Sequence, residues 1–176
     1  SSDRQTIQQK FFRGEINILL ATSAFGMGIN QSNIRTIIHY QLPQTLEDYV
    51  QQIGRAGRDL QFSRCIALIH SDDFPQMRRK IERSYEVDDE EETELHQNIK
   101  EIAKTFRWNN NQTSAFIKKQ RERKLKQAER IEEFATTTLC KEQYLAHFFG
   151  EKRKASCGKC SSCRHLDLFL MGISSK

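Results

Sequence analysis

The sequence has no stretch approaching the roughly 18 consecutive apolar residues of a membrane span. Its first ten residues lack the basic-then-apolar layout of a secretory leader. The expectation is therefore no membrane partner and a cytoplasmic location. No internal repeat recurs along the chain. There is no G-x4-GK[ST] phosphate loop and no Asp-Glu pair in the setting of a Walker B motif, so the chain alone is not expected to hydrolyse ATP. Cysteine is sparse, five in 176 residues, and its clustering in a chain expected in a reducing compartment points to metal rather than to disulfides.

What is present is a chain large enough for one ordinary domain or two small ones, with 37% hydrophobic residues. A net charge of +5 favours a polyanionic partner without establishing one, because surface lysines also serve solubility.

Over the first seventy residues, short apolar runs alternate with turn and helix signals, the pattern of an α/β layer with buried parallel strands. Residues 16–21, 34–40 and 65–70 are the expected strands, and residues 6–13 an expected helix feeding the first. Leu42-Pro43-Gln44 breaks the chain, after which Thr45 can cap a helix from Leu46 to Ile53, with Asp48 in its first turn and Gly54 as its stop. Three parallel strands make an incomplete sheet, so the expectation is part of a larger α/β lobe.

From about Ser71 the texture changes. Residues 88–94 hold six acidic side chains in seven positions, a solvated boundary or exposed linker rather than a core element. Leu95, Ile99, Ile102 and Phe106 recur at spacings of four, three and four, one stripe of an amphipathic helix that Asn109-Asn110-Asn111 should break. Residues 114–134 favour helix and carry Lys118, Lys119, Arg121, Arg123, Lys124 and Lys126, either a solvated face or a contact for phosphates. Tyr144, Leu145, Phe148 and Phe149 form a further apolar stripe that ends at Gly150.

Cys140, Cys157, Cys160 and Cys163 are spaced C-x16-C-x2-C-x2-C. A C-x2-C step lets a tight turn aim two thiolates at one ion while its N–H groups stabilise the sulfur charge, and Gly158 helps that turn close. Four sulfur ligands fill the tetrahedral shell of Zn2+ and leave no position for water, so the expected site is structural and a zinc hydrolase is disfavoured. An iron–sulfur cluster also takes four cysteines, but two C-x2-C steps in a short basic loop suit zinc better. Cys65, in an apolar run, reads as a buried small hydrophobe, and the five histidines show no ligand spacing that competes with the cysteines.

Two segments exceed what packing requires: ATSAFGMGIN over residues 21–30, a glycine-containing loop after an expected strand, and QQIGRAGRD over residues 51–59. In the second, Arg55 and Arg58 stand three apart between glycines, a compact pair of forked donors suited to a γ-phosphate.

Together these segments resemble motifs V and VI of superfamily 2 helicases, and their wording resembles the RecQ family in particular. The cysteine spacing, with Phe148-Phe149-Gly150-Glu151 before the loop, is similar to the RecQ zinc module. The resemblance implies an α/β fold in which residues 1–74 are the C-terminal part of the second RecA-like lobe, residues 75–165 a small helical zinc-binding module and residues 166–176 a polar tail. It also implies a fragment of an ATP-dependent 3′-to-5′ DNA helicase of repair or recombination, nucleoid-associated if the source is bacterial. Its cofactors would be structural Zn2+ and, in the complete enzyme, ATP with Mg2+. Its partners would be single-stranded DNA, a duplex junction and the N-terminal RecA-like lobe of the same parent.

By the same resemblance Arg55 and Arg58 reach toward ATP, Arg58 as the arginine finger, and Gln51 sits beside the nucleotide. Thr22 and Ser23 would touch the DNA backbone, Gly28 and Asn30 would couple that contact to the nucleotide cleft, and Lys118, Lys119 and Lys124 would assist on DNA. The sequence departs from the family at Gln31 (often lysine), Gln52 (often glutamate) and Leu60 (usually glycine). The rival reading is a non-enzymatic, zinc-dependent DNA- or protein-binding module derived from a truncated helicase.

Overall fold

A computed structural model describes residues 2–22, 31–86 and 94–166. The described elements are α1 (Ser2–Phe12), β1 (Thr36–His39), α2 (Leu46–Ile53), β2 (Arg64–Ala67), α3 (Asp73–Tyr85), α4 (Glu94–Thr105), α5 (Asn110–Thr136), α6 (Lys141–Phe148) and a 3-10 turn over Ser162–Arg164. The chain divides into two compact units. One is Ser1–His39 with Asp48–Ile66, and the other is Tyr40–Glu47 with Ala67–Lys176. None of the described helices is long and apolar enough to cross a membrane.

In the first unit, β1 and β2 form a two-stranded parallel sheet joined through α2. Side chains on β1 alternate, with His39 buried and Ile38 59% exposed, so this strand covers a core on one face rather than both. Residues 16–21, expected as a strand, form none. A strand needs a hydrogen-bonded neighbour, β1 and β2 pair with each other, and the unpaired run leaves Ile18 81% and Leu20 94% exposed. α2 has the bounds its cap and stop signals predict, ending where Gly54 N–H donates to Val50 at 2.9 Å. Cys65 lies on β2 but is exposed, which corrects the buried position expected of it.

The second unit is built on α3 and α5. Phe74, Ile81 and Tyr85 are buried at helical spacing on α3, as are Ala128, Ile131 and Phe134 on α5. Met77, Leu95, Ile117 and Leu125 pack against the cluster of Ile81, Tyr85 and Ala128. Burying a residue such as Ile131, which is 0% exposed, stabilises by about 1.5–3 kcal/mol. Arg78 of α3 pairs with Glu132 of α5 across the same seam.

The expected stripe on α4 is only half used: Ile99 is buried, whereas Phe106, beyond the helix end, is 66% exposed. The asparagine run does more than break a helix. Asn109 is the N-cap of α5: its Oδ1 accepts from Gln112 N–H and Gln112 Oε1 accepts from Asn109 N–H, both at 2.9 Å. Such a reciprocal cap is worth about 1 kcal/mol, and it starts α5 four residues earlier than helical propensity indicates. The acidic run lies outside the described residues apart from Glu94.

Candidate functional site

Two constellations carry chemistry, one in each unit. In the first, α2 ends and the chain turns through residues 54–60. Gly57 N–H donates to Ile34 carbonyl at 3.0 Å and Leu60 N–H to Gly57 carbonyl at 2.9 Å, so the turn is tied to the residues leading into β1. Gly57 has φ +64°, and a Cβ there would lie 2.6 Å from Ser63 Oγ and 2.9 Å from Gln61 carbonyl. The conformation and the space both require glycine.

Asp59 fixes the far side of the turn through a two-pronged ion pair with Arg35, with Nη1 to Oδ1 at 2.9 Å. That hydrogen bond holds the Asp59 carboxyl below its usual range and raises Arg35. Sequence spacing could not disclose this brace, because its halves stand 24 residues apart.

On this frame Arg58 is exposed, and its Nε donates weakly to Gly54 carbonyl at 3.4 Å. Arg55 is half-buried, with its buried Nε lacking an acceptor among the described residues. Gln51 is exposed on the last turn of α2. A small polar cluster lies against α2: His39 Nε2 is 3.0 Å from Gln52 Oε1, and the His39 ring stands 5.2 Å from that of Tyr49. Burial lowers His39, partly offset by its bond to Gln52, and burial pushes Tyr49 up to about 12 with Cys65 adding to the shift. The glutamine at position 52 thus pairs with the His39 ring.

The departures have local accounts as well. Gln31 donates to Asn33 at 2.8 Å, and Leu60 adopts φ +63°, the left-handed conformation that a glycine would take without strain. Thr22 is exposed in the irregular run 16–22, whereas Ser23, Gly28 and Asn30 lie outside the described residues.

In the second unit, Cys140, Cys157, Cys160 and Cys163 bring their four Sγ atoms within 4.8 Å of one another. Cys140 is the N-cap of α6, and the other three come from the loop around Gly158, whose φ of +67° makes the turn. Backbone donors already point at the sulfurs: Cys157 N–H to Cys140 and Cys160 N–H to Cys157 at 3.3 Å, and Lys141 N–H to Cys160 at 3.4 Å. Burial opposes charge on Cys140, but the N–H groups of Cys157 and Gln143 and the neighbouring thiols outweigh it, bringing that thiol down to about 6. Cys160 is also lowered, its burial outweighed by N–H and thiol donors, while the hydrogen bond to Cys160 raises Cys163. Four sulfurs around one Zn2+ at about 2.3 Å stand about 3.8 Å apart, so this cluster fits a closed tetrahedral zinc site after a small contraction.

The loop is anchored on α6 and on the end of α5. Glu142 holds Arg153 at 2.6 Å and Lys159 at 3.1 Å, and Ser162 Oγ donates to Thr137 carbonyl at 3.1 Å. Lys141 Nζ donates to the carbonyls of Phe134, Ala135 and Thr137 at 2.8–3.0 Å, a cation on the negative end of α5.

Residues 71–164 match the RecQ zinc-binding family, and residues 1–59 match the helicase conserved C-terminal domain. The chain belongs to the RecQ family. It is similar to the ATP-dependent DNA helicase RecQ of Bacillus subtilis, 34% identical over 160 residues, which are 91% of this chain and 22% of that relative. The protein of the same name from Haemophilus influenzae is 29% identical over 160 residues, 91% of this chain and 21% of that relative. The mouse bifunctional 3′-5′ exonuclease/ATP-dependent helicase WRN is 46% identical over 80 residues, 46% of this chain and 6% of that relative. The chain thus spans about a fifth of the length of its full-coverage RecQ relatives. Structural zinc accords with the matched RecQ zinc-binding family and with the cysteine cluster.

The basic residues of α5 in this RecQ chain do not form one patch. Lys118 and Lys119 are exposed, but Lys124 is half-buried and, at about 100° per residue, lies roughly 120–140° around the helix from them. Lys119, Arg123, Lys126 and Arg130, at spacings of four, three and four, are all exposed and form a continuous cationic stripe. The Arg130 guanidinium lies 5.5 Å from the Phe148 ring centre, extending the stripe toward α6.

Proposed function

We propose that this chain is the distal motor portion and zinc module of an ATP-dependent 3′-to-5′ DNA helicase acting in repair or recombination. Residues 1–74 complete the second RecA-like lobe, residues 75–165 are the zinc module and residues 166–176 a polar tail. The carrying observation is the turn over residues 54–60, held on both sides by Gly57 and by the Arg35–Asp59 pair, which presents an exposed Arg58 beside Arg55. A rigid turn bearing forked cations suits stabilisation of charge on a transferring phosphoryl group, where positioning supplies most of the catalysis.

In this reading Arg58 is the arginine finger, Arg55 the second cation and Gln51 the neighbour of the nucleotide, with Mg-ATP held by the N-terminal RecA-like lobe of the parent. Thr22 and Ser23 meet the DNA backbone, and Gly28 and Asn30 couple that grip to the cleft. Cys140, Cys157, Cys160 and Cys163 hold Zn2+, whose role is to stabilise the module. Lys118 and the stripe from Lys119 to Arg130 attract the phosphates of single-stranded DNA or a duplex junction. The parent acts in the cytoplasm, on nucleoid DNA if the source is bacterial.

The test is Arg58→Ala in the complete parent protein. DNA-stimulated ATPase should fall by about a thousandfold or more, with zinc content unchanged. Undiminished ATPase removes the finger assignment.

A further inference from the structure

α3 presents a second cationic face away from its packed one. Arg79, Lys80 and Arg83 are exposed within one helical turn, and no ion pair engages them among the described residues. They line an open groove of about 610 Å³ whose other wall is the loop leaving the C-terminal end of β1. Three carboxamides, Gln41, Gln44 and Gln76, stand in the same groove, and Leu42 and Met77 supply half-buried apolar surface. The groove's one acid, Asp73, already accepts from His70 N–H at 2.7 Å, so part of its charge is engaged at the start of the helix.

We propose that this groove is a nucleic-acid binding site that takes one strand, with its phosphates on Arg79, Lys80 and Arg83. The inference rests on the reading of the chain as a DNA-acting motor piece, and it adds a contact surface that neither the arginine turn nor the α5 stripe supplies. Cations alone would suit any polyanion, and the backbone of an acidic peptide could also pair with the glutamines, but such a peptide brings no flat base faces to lay on Leu42 and Met77. Glutamines beside apolar surface match what a strand offers besides phosphate: base edges with paired donors and acceptors, and flat faces to cover Leu42 and Met77. Arg79 and Arg83 are four residues apart, a rise of about 6 Å along the helix axis, so two phosphates of one strand can be met at once.

The experiment uses the 176-residue chain loaded with zinc and a fluorescein-labelled oligothymidylate, with anisotropy read across a salt series. Arg79→Gln with Arg83→Gln removes two phosphate contacts from exposed positions, and an unchanged melting profile verifies the fold. The slope of log affinity against log salt should become shallower by about 1.4, which is on the order of a 25-fold loss at 0.1 M salt. Lys104→Gln with Arg107→Gln removes the same charge elsewhere and should change affinity far less.

Equal losses from both pairs would reduce the effect to net charge and overturn the site. So would displacement of the oligonucleotide by polyglutamate as effectively as by unlabelled strand, which would mark a general polyanion surface. Strand binding that the groove variant leaves intact overturns the groove alone, and the motor reading stands or falls separately on the Arg58→Ala ATPase. A chain that binds no strand at any salt also overturns the groove.

Discussion

Gly57 and Leu60 share nearly the same backbone angle, φ +64° and +63°, yet substitution should move stability in opposite directions. A non-glycine residue in the left-handed region costs roughly 1–2 kcal/mol, and a glycine returns about 0.5–1 kcal/mol of that through the greater freedom of its unfolded chain. Leu60 is 95% exposed, so Leu60→Gly forfeits little packing and should stabilise by about 0.5–1 kcal/mol. Gly57→Ala meets the same angle and also places its Cβ 2.6 Å from Ser63 Oγ and 2.9 Å from the Gln61 carbonyl. Serine can rotate, but the carbonyl moves only with the turn, which endangers the bond from Gly57 N–H to Ile34. With that bond worth about 1 kcal/mol, the loss should reach about 2 kcal/mol. Urea unfolding of the two variants beside the parent chain, followed by circular dichroism, reads both signs. Two destabilisations of similar size would mean that the leucine at position 60 carries contacts the exposure denies, and the strain argument would be wrong.

Thiol titration should separate the metal site from the lone cysteine: in the zinc-loaded chain exposed Cys65 reacts first, and a chelator releases the other four thiols together with loss of helical signal. Retention of full helicity after chelation would show that the module does not depend on metal. Lys141→Met removes the cation from three carbonyls on the end of α5 and should destabilise by about 2 kcal/mol in chemical denaturation. Its zinc content should not change, because the N–H that donates to Cys160 belongs to the backbone. His39 has a folded pKa below its unfolded value of 6.5, so the unfolded chain binds more protons in the window beneath pH 6.5. Its contribution is therefore complete above pH 6.5 and is lost as pH falls through the folded value, and His39→Gln should flatten that part of a stability-against-pH curve.

Much of the candidate machinery was legible because it is local. The cap and stop signals bound α2 correctly, and the intervals among Cys157, Cys160 and Cys163 placed three donors on one turn, leaving only Cys140 to come from a distance. Local signals fail where a partner decides. Residues 16–21 have the apolar character of a strand, but a strand exists only in a ladder, and none of the described residues offers them one. The Arg35–Asp59 pair is invisible for the same reason, since neither residue carries a mark of the other across 24 positions.

The basic helix differs, because the face that each of its cations occupies is set by the helical period and is legible in the sequence. Counting cations from Lys118 to Lys126 gathers side chains that helical geometry sends apart: Lys124 is half-buried and Arg121 has its buried Nε without an acceptor among the described residues. Applying the 3.6-residue period to charge instead of to apolar residues isolates Lys119, Arg123, Lys126 and Arg130, whose exposure agrees with that sorting. A polyanion meets a face rather than a segment, so only side chains that share a face can add their attractions. Neutralising Lys119 and Lys126 should therefore weaken oligonucleotide binding more than neutralising Lys119 and Lys124, although each pair removes the same charge. Equal effects in the anisotropy assay would mean that net charge, rather than the stripe, draws the strand.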